Sequence, residues 1–272
     1  MTESMMTLDL DARLARATEI AKEAGALALH HFQNRDRLVI ETKRHVTDLV
    51  SEADRTVEVL IRDALTAAFP EDAQLGEEHG ESPGTSGLTW VIDPIDGTAP
   101  YLNGLPGWCV SIGACDADGP VIGVIHAPVL GEMFVAARGR GATVNGVPMR
   151  AAAGDLRSGL LGIGANDRVP AARVGEMVTR LMEAEAAWTR YGSGALMLAW
   201  VAAGRLVGYA EPRMSAWDCM AGYVLILEAG GMVRPFPQGA AITYPAPVLG
   251  AGPGAFAELV SLTRFSDDAC WA

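Results

Sequence analysis

The sequence predicts a layered fold that mixes α+β and α/β packing, and three observations carry that prediction. Long stretches near the start repeat apolar residues at helical spacing. The middle, from Cys109 to Val135, switches to short apolar runs separated by tight turns, the pattern of successive strands. Beyond residue 155 helical spacing returns, with short strand-like segments between the helices. The chain has 272 residues, half of them hydrophobic, enough for one large domain or two closely packed halves.

In order, residues 9–33 form a helix whose inward face is Leu10, Leu14, Ala17, Ala21, Ala24 and Ala28. Leu38–Glu41 alternates and suits a short strand. Residues 52–69 return to helical spacing through Ala53, Val57, Leu60, Ile61 and Leu65, and Pro70 stops the run. LTWVID is a strand leading into Asp93. CVSIGAC, PVIGVIHA and GEMFVAA are three strands, with turns at Asp118-Gly119 and Leu130-Gly131; Asn145-Gly146 is a further tight turn. Helices are expected at Ala171–Ala187, Ser193–Ala203, Ala216–Ala229 and Gly254–Phe265, and strands at LVGYAE and MVRP. A soft boundary near 150–158 divides an N-terminal half, 1–155, from a C-terminal half, 156–272.

Charge narrows the function. Lys and Arg number 21 against 33 Asp and Glu, a net charge of -12, which argues against a nucleic-acid or anionic-lipid partner. No stretch reaches the ~18 apolar residues of a membrane span. The acidic start lacks the basic and apolar regions of a signal peptide, so a cytoplasmic location is expected. Cys109, Cys115, Cys219 and Cys270 make no CxxC pair, and the five histidines make no HxH or HxxxH pair. Any metal would therefore be held by oxygen. Trp90, Trp108 and Trp217 sit beside apolar runs and read as core.

Three acidic clusters each adjoin an apolar element: Gly76-Glu77-Glu78, the segment Asp93-Pro94-Ile95-Asp96-Gly97-Thr98, and Ala216-Trp217-Asp218. In the second, a strand delivers Asp93, Pro94 is expected to turn the chain, and Asp96 follows three residues on. The amides of Gly97 and Thr98 open a helical turn suited to a phosphate oxygen. Singly, the clusters read as a turn, a solvated pair and a helix-start acid. Together they point to a shared site for a hard dication.

With LVSEADRTVE, GEE, WVIDPIDGT, AWD and LEAGG in place, the chain resembles the inositol monophosphatase family, part of the group that contains fructose-1,6-bisphosphatase, over nearly its whole length. The resemblance implies an α-β-α-β-α sandwich, a homodimer, lithium sensitivity, and hydrolysis of a small phosphate ester with two to three Mg2+ per site. It makes Glu77, Asp93, the Ile95 carbonyl, Asp96 and Asp218 metal ligands, with Glu77 also catalytic. It pairs Asp54 with Thr98 to orient the attacking water, places phosphate on the Gly97 and Thr98 amides, puts Lys43 near the metals, and sets Glu211 on a substrate hydroxyl. Ser193, Gly194 and Ser215 are further substrate-side candidates; Ser193 and Gly194 read equally well as a plain helix start.

Two departures bear on the substrate. Thr98 is followed by Ala99-Pro100-Tyr101 where the family often has Asn and an aromatic, and Ser215 stands where some inositol phosphatases have His. Inositol-1-phosphate is the leading substrate; histidinol phosphate and a 3′,5′-bisphosphate nucleotide are the alternatives, and a non-catalytic regulatory relative is the rival of another class. A haloacid-dehalogenase-type nucleophile is disfavoured because the two aspartates of DPIDGT are three apart, not two. No Cys is followed six residues later by Arg, and no phosphate-binding GxxxxGK[ST] loop is present.

Overall fold

The computed structural model describes residues 9–37, 40–42 and 49–265; Lys43 and Cys270 lie outside them. Asp9 opens α1 (Leu10–Gln33) by accepting a hydrogen bond from Ala12 N at 3.0 Å, which satisfies one orphan amide of the helix start. Ala17, Ala21, Ala24 and Ala28 are fully buried, as their spacing predicts. β1 (Ile40–Thr42) and β2 (Leu49–Ser51) pair antiparallel. α2 (Glu52–Ala68) buries Val57, Ile61 and Leu65 and, on the same side, Asp54 and Glu58.

The first large sheet combines β3 (Ala73–Gly76), β4 (Gly80–Ser82), β5 (Thr89–Asp96), β6 (Cys109–Asp116), β7 (Gly119–Ala127), β8 (Glu132–Ala137), β9 (Ala142–Val144) and β10 (Val147–Pro148). Its order is β10-β9-β8-β7-β6-β5-β3-β4. β3 and β5 are parallel; the other neighbours are antiparallel. The short α3 (Thr98–Leu102) lies between β5 and β6. The second sheet, in order β12-β11-β13-β15-β14, combines β11 (Leu160–Ile163), β12 (Ala187–Thr189), β13 (Gly208–Met214), β14 (Met232–Val233) and β15 (Ala246–Ala251). Its helices are α4 (Ala171–Glu183), α5 (Gly194–Ala202), α6 (Ala216–Glu228) and α7 (Phe256–Thr263).

These elements stack in five layers. α1 and α2 cover one face of the first sheet, α5 and α6 fill the space between the sheets, and α4 and α7 cover the far face of the second. One apolar core occupies each interval. α5 and α6 are apolar nearly all round, because a helix between two sheets has no face left for water. Trp90 and Trp108 are fully buried in the core beneath α1; Trp217 is only partly buried. Cys109, Cys115 and Cys219 are buried free thiols.

Two local expectations are corrected. Pro94 does not turn the chain: β5 continues to Asp96, and a bulge between Asp93 and Asp96 absorbs the missing donor. The helix expected to reach Ala187 ends at Glu183, because Glu185 adopts a left-handed conformation at φ 60° and Ala187–Thr189 joins the sheet.

Candidate active site

The site grows from the β5 bulge. On a regular strand, residues three apart point to opposite faces. The bulge sets Asp93 opposite Ser111 and Asp96 opposite Cys109, so one extra residue is inserted and both acids line one cavity. Asp93 Oδ1 accepts from Ile95 N at 3.0 Å, which folds the carboxylate over its own strand. Gly97 follows at φ 94°, a conformation that favours glycine, and an added Cβ would lie 2.7 Å from the Gly107 carbonyl oxygen.

Two other elements bring their acids to the same place. Glu77 N donates to Ile92 O at 3.2 Å, extending the parallel β3–β5 ladder and setting Glu77 beside the end of the Asp93 strand. Asp218 is the third residue of α6, and its Oδ2 accepts from Ser215 N at 3.1 Å in a capping box. One carboxylate oxygen from each of Glu77, Asp93 and Asp218 lies within 4.8 Å of the others.

Such crowding is costly without a counter-charge. Burial, then the charges of Glu77, Asp96, Asp218 and Asp54, push the Asp93 carboxyl well above the usual range. Burial, then Asp96 and Glu77, do the same to Asp218. Asp96 is raised by burial but held down by Ser193 and by the amides of Ala195, Gly194 and Leu196. Its Oδ2 accepts from Ser193 Oγ at 2.5 Å and Ala195 N at 2.7 Å, at the positive end of the α5 dipole. An all-oxygen donor set with this excess of negative charge fits a hard divalent cation.

The cavity above the acids is about 230 Å³. Ile95, Gly97, Thr98, Ser193, Gly194 and Glu211, all singled out in the sequence, line it. Ser215 does not: it caps α6 and faces an adjoining cleft of about 220 Å³, shared with Arg168, Arg213 and Trp217. Thr98 Oγ1 donates to Ile95 O at 3.3 Å. Asp54 is buried in the first turn of α2 and does not line the cavity; its charge adds to those that raise Asp93 and Tyr101. The Ser193 hydroxyl donates to Asp96 and accepts from Leu196 N at 3.2 Å, and the Cys109 thiol lies 3.6 Å from the same oxygen. Glu211 accepts from Tyr209 Oη at 2.6 Å and from Asn166 Nδ2 at 3.2 Å. Burial pushes its carboxyl up to about 7 against the pull of those two hydrogen bonds.

Asn166, Arg190 and Tyr209 are polar residues that also line the cavity and were not singled out in the sequence. Asn166 and Arg190 follow the carboxyl ends of the parallel strands β11 and β12, where α/β sheets place ligands. No spacing in the sequence marks them. Glu58, buried below Glu77, was also missed; its signal was an acid four residues after Asp54 on the buried side of α2.

The chain is similar to known proteins over nearly its whole length. The sequence profile of the inositol monophosphatase family matches residues 9–265. A relative called Nus factor SuhB, from Haemophilus influenzae, is 31% identical over 252 residues, which are 91% of this chain and 94% of the relative. The crystal structure of the extragenic suppressor protein suhB from Bartonella henselae superposes with a TM-score of 0.84 at 30% identity, covering 95% of this chain and 99% of that one. The inositol monophosphatase from Anabaena (Nostoc) sp. PCC 7120 superposes with a TM-score of 0.77 at 34% identity, covering 94% and 95%.

Proposed function

Since this chain belongs to the inositol monophosphatase family, we propose that it is a Mg2+-dependent phosphatase that hydrolyses a small phosphate monoester, with inositol-1-phosphate as the leading substrate. The observation that carries this reading is the convergence of Glu77, Asp93 and Asp218 from three separate elements on one point. Glu77, Asp93, the Ile95 carbonyl, Asp96 and Asp218 would hold two to three magnesium ions. When bound, those ions supply Lewis acidity and the positive charge that a phosphate needs beside so many carboxylates.

The chain's own groups then have assigned work. The amides of Gly97 and Thr98 receive phosphate oxygens. The Thr98 hydroxyl donates to Asp54 and accepts from the attacking water, aiming it in line with the departing alkoxide. That role requires the hydroxyl to leave Ile95 O, its acceptor in this structure. Glu211, held by Tyr209 and Asn166, receives a hydroxyl of the alcohol part. Ser193 and Gly194 shape the floor through Asp96, and Ser215 acts from the α6 cap. Histidinol phosphate and a 3′,5′-bisphosphate nucleotide remain the alternative substrates, because the Ala99-Pro100 and Ser215 departures fall on the substrate side. A homodimer, lithium inhibition and a cytoplasmic location belong to the same reading. Among the described residues no helix is long and apolar enough to cross a membrane.

The test is phosphate release from inositol-1-phosphate, histidinol phosphate, fructose-1,6-bisphosphate and adenosine 3′,5′-bisphosphate, each with Mg2+. Turnover of one ester, lost by roughly 10³ in Asp93→Asn with the fold retained, is expected. Near-parental turnover in Asp93→Asn defeats the ligand role. The name Nus factor, borne by the Haemophilus influenzae relative, motivates a second reading in which this chain acts by binding a partner without catalysis. Absence of phosphate release from all four esters, with the protein folded and Mg2+ present, would favour it.

A further inference from the structure

Glu58 is fully buried in the middle of α2, yet it belongs to neither the cavity lining nor the acid trio. Its carboxylate faces the three-residue connection Glu77-Glu78-His79 that joins β3 to β4. Oε2 accepts from Glu78 N at 2.7 Å and Oε1 from His79 N at 3.1 Å. The His79 ring nitrogen Nδ1 lies 3.3 Å from Oε1. Arg62, one turn further along α2, donates to Oε1 at 3.3 Å and also ties the far strand, through Gly80 O at 3.0 Å and Ser82 Oγ at 2.5 Å. The fit leaves no spare room: a Cβ on Gly76 would lie 2.1 Å from Glu58 Oε1. The glycine of GEE therefore has a physical reason, which is access of this carboxylate to the turn.

Along α2, Asp54, Glu58 and Arg62 fall at positions i, i+4 and i+8, on one stripe of the helix. One rigid element thus carries both Asp54 and the clamp on the loop that bears Glu77. We infer that Glu58 is a positioning residue: by holding the amides of residues 78 and 79 it fixes the Glu77 carboxylate against Asp93 and Asp218, and so sets the affinity of the acid site for divalent cations. A carboxylate suits the task because both of its oxygens accept. A carboxamide has one acceptor and would turn its NH2 toward a second N–H. The inference rests on the metal-dependent reading above.

The experiment is direct Mn2+ binding to the full-length protein, read by electron paramagnetic resonance of the free ion. It compares the parent, Glu58→Gln, Glu77→Gln and the double variant, with folding checked by thermal melting. Glu58→Gln should weaken Mn2+ binding about tenfold, the usual scale for a group that orients a ligand. Adding it to Glu77→Gln should cost nothing more, since no Glu77 carboxylate remains to be placed. In phosphate release, the Mg2+ concentration for half-activity should rise by a similar factor, with kcat at saturating Mg2+ changing less. Parental Mn2+ affinity in Glu58→Gln, or single effects that simply add in the double variant, would overturn the inference and reduce Glu58 to a structural clamp. If Glu58→Gln does not fold, Arg62→Met, which removes the cation beside the carboxylate, should weaken Mn2+ binding by a smaller factor, and parental affinity there overturns the inference equally. A parent protein that binds no Mn2+ is a different failure, that of the metal reading itself.

Discussion

At the scale of the residue, Asp93 and Thr98 show how much chemistry depends on a few ångströms. Asp93 has four carboxylates acting on it, Glu77 the strongest, and its titration is set by that company as well as by burial. Thr98 has a single hydroxyl, which donates to Ile95 O at 3.3 Å in this structure, whereas the proposed role gives it to Asp54. If Thr98 orients the water, Thr98→Ala should lower kcat by about 10² while leaving KM nearly unchanged. Steady-state kinetics on the preferred ester checks this, and an effect confined to KM contradicts it. The acids were legible in the sequence only as a group, because three clusters each adjoin an apolar element while any one alone reads as an ordinary turn, surface pair or helix start. Asn166, Arg190 and Tyr209 were not, because they are ordinary residues made relevant by what folds next to them.

At the scale of the element, two bulges stand out. β5 and β13 each carry a site acid followed by proline, Asp93-Pro94 and Glu211-Pro212, and each shifts register at that point. A proline inside a strand has no N–H to give the ladder, and a bulge is one of the few places where that costs little. In β5 the irregularity that accommodates the proline also puts two acids three apart on one side, so what the sequence presents as a turn works as a bent strand. α5 adds the other device. Its N-terminal amides and Ser193 hold Asp96, so the helix start and the acid floor are one structure. Ser193→Ala removes the cap of α5 and a hydrogen bond to Asp96 together. It should destabilise the protein by about 1–2 kcal/mol in urea denaturation and lower kcat as well. A stability loss with unchanged kcat would separate the cap from the site.

At the scale of the whole molecule, the five layers bury acids that water would otherwise solvate, and stability should depend on pH accordingly. Glu211 is the clearest case. Its carboxyl lies at about 7 in the folded chain against 4.5 in an unfolded one, so between those values the folded protein binds the extra proton. Stability from this group is present in full below pH 4.5 and is lost as pH rises through about 7. Glu211→Gln keeps the shape and lacks the charge, so its unfolding free energy should fall less between pH 5 and 8 (values on the order of the window set by that shift) than the parent's. Urea denaturation at both ends of the range checks it, and parallel losses in parent and variant would show that Glu211 does not titrate there.

The layered class, most helices and the acids at the heart of the site follow from periodicity and from short motifs, because those are local properties of the chain. Other features belong to tertiary structure alone. The path of β5 through Pro94, the early end of α4 and the clamp of Glu58 on the Glu77 turn depend on which strand or helix lies alongside. The joining of Asp218 to residues far earlier in the chain depends on α6 being buried between two sheets. Local sequence fixes how a segment pairs with itself; convergence of distant charges needs the free energy of a whole packed core to hold them together.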